Sequence, residues 1–238
     1  MPAVQPIKIY PGRKGAAGTV QNIISQIPAC NLFIDAMCGS GKVGSEVKGC
    51  KVIFNDKSAA VIDKISFTAD NIQFLKKDYR YLIDKYGYMG PGTVIYFDPP
   101  YLFETRSYKK PIYKFEWTDQ DHKNFLKQVK KMNSCVMISH YPCKMYDQAL
   151  KGWRKFVYKS MTHAGLRDEC IYMNFQQPVL LQCYQVVGKN FTDRQRIKRK
   201  IDRLIVRLKL EAPHERAAIL SGIIANFNYV GHNPNLDI

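Results

Sequence analysis

The run Tyr96-Phe97-Asp98-Pro99-Pro100-Tyr101 closes a β-branched and aromatic strand with an acid, two prolines and a tyrosine. These are groups that can grip an exocyclic amine on a purine ring. Such an amine is a poor nucleophile, because its lone pair is delocalised into the ring, and it must be drawn out of plane before it attacks. A carboxylate at the end of a strand can accept one N–H, while a proline-fixed backbone presents a carbonyl to the other. Tyr101 adds an aromatic face on which the base can stack. A plain strand with a Pro-Pro turn over a buried tyrosine would read the same way, so the surrounding elements have to decide.

Upstream, Leu32-Phe33-Ile34-Asp35 reads as a buried strand running through Ala36-Met37-Cys38 into Gly39-Ser40-Gly41 and then a helix. Glycines there let the backbone approach a ligand, and an acid at the strand end can bind a charged or hydroxylated group. A Gly-x-Gly by itself is more often an ordinary strand-to-helix turn. The next strand, 51–55, ends in Asp56, which a parallel sheet places beside the glycine turn, within reach of the two hydroxyls of a ribose. A glycine-rich basic loop, Tyr10-Pro11-Gly12-Arg13-Lys14-Gly15, precedes both, and Asp78-Tyr79 follows the apolar stretch at 72–75.

Taken in this order, the elements resemble the Dam-type, α-class adenine-N6 DNA methyltransferases, and most closely their short phage-like branch. The resemblance covers roughly positions 9–175. It implies that Tyr10 and Lys14 belong to the amino-terminal cofactor motif and that Asp35, Gly39 and Gly41 form the S-adenosylmethionine loop. By the same likeness Asp56 binds the ribose, Asp78 and Tyr79 flank the cofactor adenine, and Asp98, Pro99, Pro100 and Tyr101 are the catalytic tetrapeptide. Thr105-Arg106, Asp121-His122, Ser139-His140-Tyr141, Tyr146, Gly152-Trp153-Arg154 and Arg167-Asp168-Glu169 through Asn174-Phe175 are similar to positions of the phage-type branch. The chain departs from the family at Arg13, where a small residue is common, and at His140, where glycine is usual. A larger departure is the span between Asp56 and Asp78, only 22 positions, where Dam-type enzymes carry a sizeable DNA-reading domain. The resemblance implies S-adenosylmethionine as cofactor, S-adenosylhomocysteine as product, no metal and DNA as partner, and leaves open a restriction-modification setting. Two alternatives stay open: an adenine-N6 methyltransferase acting on RNA, and a non-catalytic DNA-binding protein with a degenerate methyltransferase fold.

Composition agrees with a nucleic-acid partner. The 36 Lys and Arg against 20 Asp and Glu leave a formal charge of +16, which attracts phosphates. With 238 residues, 46% of them hydrophobic, the chain can bury one good-sized core and a small appendage. Seven cysteines without a Cys-x-x-Cys pair point to a reducing compartment and away from structural zinc. The five histidines lack metal-ligand spacing. Without a long apolar run or a signal-peptide pattern, the expectation is a cytoplasmic protein of a bacterium or phage-infected host, with no membrane partner.

Periodicity predicts strands over 32–36, 51–55, 93–97, 135–139, 153–158, 169–175 and 180–187, and helices over 18–27, 42–48, 58–70, 119–132 and 143–151. Alternating strands and helices imply an α/β fold with a mostly parallel sheet covered on both faces. The last two strands, joined by Gln176-Gln177-Pro178, are expected to form an antiparallel edge hairpin, which resembles the Rossmann-like methyltransferase fold. A catalytic domain over 1–190 would then carry a small C-terminal helical appendage over 191–238. In it, Arg199, Arg203 and Arg207 crowd a basic helix whose Ile197, Ile201, Leu204 and Leu208 form one apolar stripe. After Pro213, Ala217, Leu220, Ile224 and Phe227 suggest a second helix packing on the first. That pair can serve as a solvated basic face, a DNA contact, or the surface of a homodimer or of a specificity-supplying partner. The other candidate reader of DNA is the loop at 105–114, where Arg106, Tyr108, Lys109, Lys110 and Tyr113 interleave cations with aromatics.

Overall fold

The computed structural model describes residues 12, 14–16, 18–65, 70–106, 110–162, 165–188 and 190–227. Tyr10, Arg13, Tyr108 and Lys109 lie outside them. The chain divides into two compact units, one to Cys183 and one from Tyr184, a boundary several residues before the expected 190/191.

The first unit is built on a seven-stranded sheet. Its strands are β1 (Leu32–Asp35), β2 (Lys51–Asn55), β3 (Ile72–Leu75), β4 (Thr93–Phe97), β5 (Cys135–His140), β6 (Arg154–Thr162) and β7 (Gly165–Met173), in the order β3-β2-β1-β4-β5-β7-β6. The first five pair in parallel, and β7 is antiparallel to both β5 and β6. This is the Rossmann-like methyltransferase fold, edge hairpin included. The central strands β4 and β5 are buried at every position, because both sheet faces are covered. On one face Ile34, Ile53, Ile95 and Val136 meet Leu82 and Ile83 of α3 (Tyr79–Tyr86), Phe125 and Leu126 of α4 (Asp119–Val129) and Tyr146 of α5 (Lys144–Ala149). The other face buries Phe33, Val52, Val94 and Met137. Each such side chain contributes about 1.5–3 kcal/mol of burial.

Several expected elements differ. The hairpin is made by β6 and β7, paired as far as Thr162 and Gly165, and 180–187 is no strand. That stretch holds one isolated bridge, Pro28 to Leu181, and a 3-10 turn at Tyr184–Val186. The chain from 174 to 182 is tied off locally instead: Asn174 bonds Ser134 and Val136, and Gln182 bonds Cys30 and Lys48. The helix expected over 42–48 shrinks to a 3-10 turn, Gly44–Glu46, and that expected over 58–70 shows, among the described residues, a single turn, α2 (Ala59–Ile62), with 66–69 lying outside them. Between Asp56 and Asp78 there is α2 followed by the edge strand β3, which the sequence showed only as a short apolar stretch. The unanticipated α3 has legible signals, namely a capping Asp78 and the apolar face of Leu82, Ile83 and Tyr86. The remaining helix of this unit, α1 (Thr19–Ile24), is shorter than the 18–27 expected.

The second unit holds α6 (Phe191–Leu210), capped by Asn190, and α7 (Pro213–Phe227), which begins at its proline. The stripe expected to be buried is not. No side chain of α6 is buried, and Ile201 and Leu204 are 44% and 58% exposed. Arg199, Arg203 and Arg207 are exposed as well. Among the described residues, no helix is long and apolar enough to cross a membrane.

Candidate active site

Strand order reverses between β1 and β4, and a crevice opens at the carboxyl ends of the strands there. It is a cleft of about 1830 Å³ that runs from the glycine turn and Asp56 past Asp78 and Tyr79 to Asp98 and Tyr101.

At one end, Gly39 and Gly41 take positive φ, 48° and 73°, the conformation that favours glycine. Two acids hold this turn. Asp35 accepts the Gly44 N–H (3.0 Å), and Asp56 accepts those of Gly39 (3.2 Å) and Ser58 (2.8 Å). Burial raises the Asp35 carboxyl to about 7, against the lowering effect of the Gly44 amide and with help from Asp98 and Asp56. Asp56 is also raised by burial, less than it would be without its two amide donors. Asn55 is a residue that sequence reasoning passed over. Its amide donates to the carbonyls of Ala36 and Lys77 (both 2.9 Å) and accepts from the Lys77 N–H, lacing three strand ends together. Asp78 caps α3 and is committed to Arg80 and to Lys57 (3.1 Å), which hold it down at about 2. Tyr79 packs on Trp117 and Phe125 at the rim of the core.

At the other end, Asp98 follows β4. Burial raises its carboxyl above the ordinary range despite the neighbouring Lys14. Lys14 was expected with the cofactor motif, but its ammonium lies 3.1 Å from Asp98 Oδ1 and 3.3 Å from Glu169 Oε2 and bonds the Tyr101 hydroxyl. Burial opposes that charge, yet Asp98, Tyr101 and Glu169 hold the lysine well above its usual value. The Lys14–Asp98 contact is an ion pair, and the ammonium is the charge that Oδ1 faces. Oδ1 is shielded from solvent and receives no hydrogen bond among the described residues.

Tyr101 is held from behind. His140 lies 4.9 Å from it, ring to ring, and stacks in turn on Tyr146 at 4.1 Å. His140 Nε2 accepts the Leu102 N–H (3.0 Å), so Nδ1 carries the proton and donates it to the Tyr141 carbonyl (2.7 Å). Burial lowers this imidazole to about 3, so it is neutral. The histidine at the family's glycine position thus braces the tetrapeptide. Tyr141 meets the edge of Tyr101 at 4.6 Å and carries Arg167 over its own ring.

The loop expected to read DNA is partly a clasp. Arg106 is buried, forks onto Glu116 (2.9 and 2.7 Å) and donates Nε–H to the Tyr101 carbonyl (2.6 Å). Glu116 also accepts the N–H groups of Ile112 and Tyr113 (2.8 and 3.1 Å). Arg106 is therefore a brace between loop and site, which corrects its expected role as a nucleic-acid contact. Tyr113 packs so closely on Gly12 that a Cβ there would fall 1.9 Å from its hydroxyl. Lys110 is exposed at the loop surface. Sequence reasoning left the role of Glu169 undecided and did not single out Tyr158. The pairing of β6 with β7 sets them opposite one another, with the Tyr158 hydroxyl 3.0 Å from Glu169 Oε2.

No protein-family model matches the chain, and no curated protein matches it. Among solved structures it is similar to magnesium protoporphyrin IX methyltransferase of Synechocystis PCC 6803 with bound SAH, at 10% identity over 66% of this chain and 82% of that one, TM-score 0.44. It is also similar to an rRNA methylase of Streptococcus thermophilus, at 11% identity over 65% of this chain and 93% of that one, TM-score 0.37.

Proposed function

We propose that this chain is a Dam-type enzyme that transfers the methyl group of S-adenosylmethionine to the N6 amine of adenine in DNA, with the base flipped from the helix. The observation that carries this reading is Asp98, a buried carboxylate paired through Oδ1 with the Lys14 ammonium and lying beside an aromatic ring at the carboxyl end of the central strand. An adenine amine would donate an N–H to this carboxylate while the ring of Tyr101 takes the base. The cofactor end fits a cation. Asp35 and Asp56 at the glycine turn are both raised by burial, and a cation bound beside them would favour their charged forms. S-adenosylmethionine, when bound, supplies a methyl already reactive toward nucleophiles. The chain's own residues then have to orient the amine and exclude water, and alignment does much of the catalysis. The amine loses its proton to solvent after transfer, so no general base is required of the neutral, buried His140 or His122.

The test is labelled-methyl transfer to DNA and RNA side by side. Incorporation into DNA, recovered as N6-methyladenine, supports the reading; label only in RNA moves the substrate to the alternative, and label in neither overturns it. Two substitutions probe the two ends of the cleft. Asp56→Ala raises the dissociation constant for S-adenosylmethionine by about 10- to 100-fold, the value of a hydrogen bond to a charged group, in a calorimetric titration. Tyr101→Ala weakens adenine capture by about 1–3 kcal/mol, and Tyr101→Phe by less, because the ring face and not the hydroxyl is the stacking surface. Equal losses in kcat/KM for the two variants would remove the stacking geometry.

A further inference from the structure

Lys14 sits where the substrate would sit. Its ammonium is 3.1 Å from Asp98 Oδ1 and 4.6 Å from the centroid of the Tyr101 ring, the two places that the proposed reaction reserves for the amine and the base. A carboxylate oxygen can accept two hydrogen bonds, but an ammonium against Oδ1 and over the Tyr101 ring fills the space that a stacked base and its amine would take. The base can enter only if Lys14 gives way.

Removing a buried ammonium from its carboxylate is ordinarily costly, because the charge is left without a partner. Here a second carboxylate is already in contact. Glu169 Oε2 is 3.3 Å from the same nitrogen, held in place by the Tyr158 hydroxyl at 3.0 Å, and the side chains of Lys14 and Glu169 are each only 8% exposed. Tyr158 and Glu169 face each other through strand register, so this second station belongs to the rigid sheet.

We propose that Lys14 occupies the amine site of the substrate-free enzyme and that Glu169 is its alternative partner, retaining the ammonium when the base takes Asp98. The proposal rests on the methyl-transfer reading. It makes Glu169 a positioning residue that acts through Lys14. Glu169 lies below the ordinary carboxylate range against the effect of burial, chiefly because of Lys14, whereas Asp98 lies above it. The Tyr158 hydroxyl, 3.0 Å from Oε2, adds a second donor to the Glu169 carboxylate.

The cluster of one cation and two anions carries one net negative charge, and this makes the pair testable. Lys14→Met leaves two buried carboxylates facing each other, so Asp98 takes up a proton and loses its acceptor role. Glu169→Gln leaves Lys14 with Asp98 as its one anion, and the amine site stays blocked. Lys14→Met with Glu169→Gln restores the net charge, frees Asp98 and removes the competitor. With full-length enzyme, saturating S-adenosylmethionine and unmethylated DNA, each single substitution should lower kcat/KM at least about tenfold, and the double variant should recover about tenfold over either. Thermal unfolding of all variants reports whether they fold. If the methionine variants do not, Lys14→Gln with Glu169→Gln keeps the charge and the hydrogen-bonding groups, and the same recovery is expected. A double variant no better than the worse single would overturn the proposal and give Lys14 a direct role on cofactor or DNA. A wild-type enzyme that methylates neither DNA nor RNA would instead overturn the reading beneath it.

Discussion

Asp98→Ala lowers methyl transfer by about 10²–10⁴-fold, the range for losing a positioned proton-bonding group, while the affinity for S-adenosylmethionine changes little. The separation follows from geometry. Asp98 stands at the Tyr101 end of the cleft, and the glycine turn is held by Asp35 and Asp56. The alanine variant also folds, because Lys14 keeps Glu169 as its partner. A rate assay beside a calorimetric titration checks both halves, and loss of cofactor binding with activity would mean that Asp98 holds the turn. The same carboxylate sets a pH limit. Asp98 is raised by burial, and it faces Lys14, Glu169, Tyr101, Tyr96 and Tyr158. The accepting form is present above its folded pKa and is lost as pH falls through it, so activity declines on an acid limb above the usual carboxylate range. Lys14 is the chief lowering influence, so Lys14→Met shifts that limb to higher pH in the residual rate.

Glu116→Ala lowers the melting temperature by on the order of 10 °C, because removing one partner of a buried ion pair costs about 3–5 kcal/mol. The guanidinium of Arg106 is 7% exposed and would lose both bonds of its fork, while the Ile112 and Tyr113 amides lose their acceptor. Arg106→Ala has an effect of similar sign, with the added loss of a donor to the Tyr101 carbonyl. Calorimetric unfolding measures this directly. A phosphate-contacting arginine would behave otherwise, leaving the melting temperature alone and flattening the salt dependence of DNA binding. Unchanged melting in both variants would return Arg106 to the nucleic-acid surface.

The sequence by itself determined the strands of the parallel sheet from β1 to β5 apart from β3, together with the acids that end them. Long apolar runs bounded by Gly, Asp or Pro report local burial, and parallel pairing then puts every strand end on one edge. That is why Asp56 could be placed beside the glycine turn that follows Asp35, whereas Asp98 was joined to them through the family resemblance. What the sequence could not decide was which strand pairs with which at the edge, since a hairpin over 169–187 and one over 154–173 satisfy the same alternation. The tertiary structure chose the second, because the chain from Asn174 to Gln182 is tied off by those two side chains and forms no strand there. The register of that hairpin, Tyr158 opposite Glu169, brings the second carboxylate to Lys14. Contacts across 155 residues of chain leave no periodic trace, so neither the shared lysine nor the Arg106–Glu116 clasp was readable from composition or spacing. A basic, aromatic-rich loop looks the same in sequence whether its arginine faces a phosphate or a buried glutamate, and only packing tells the two apart.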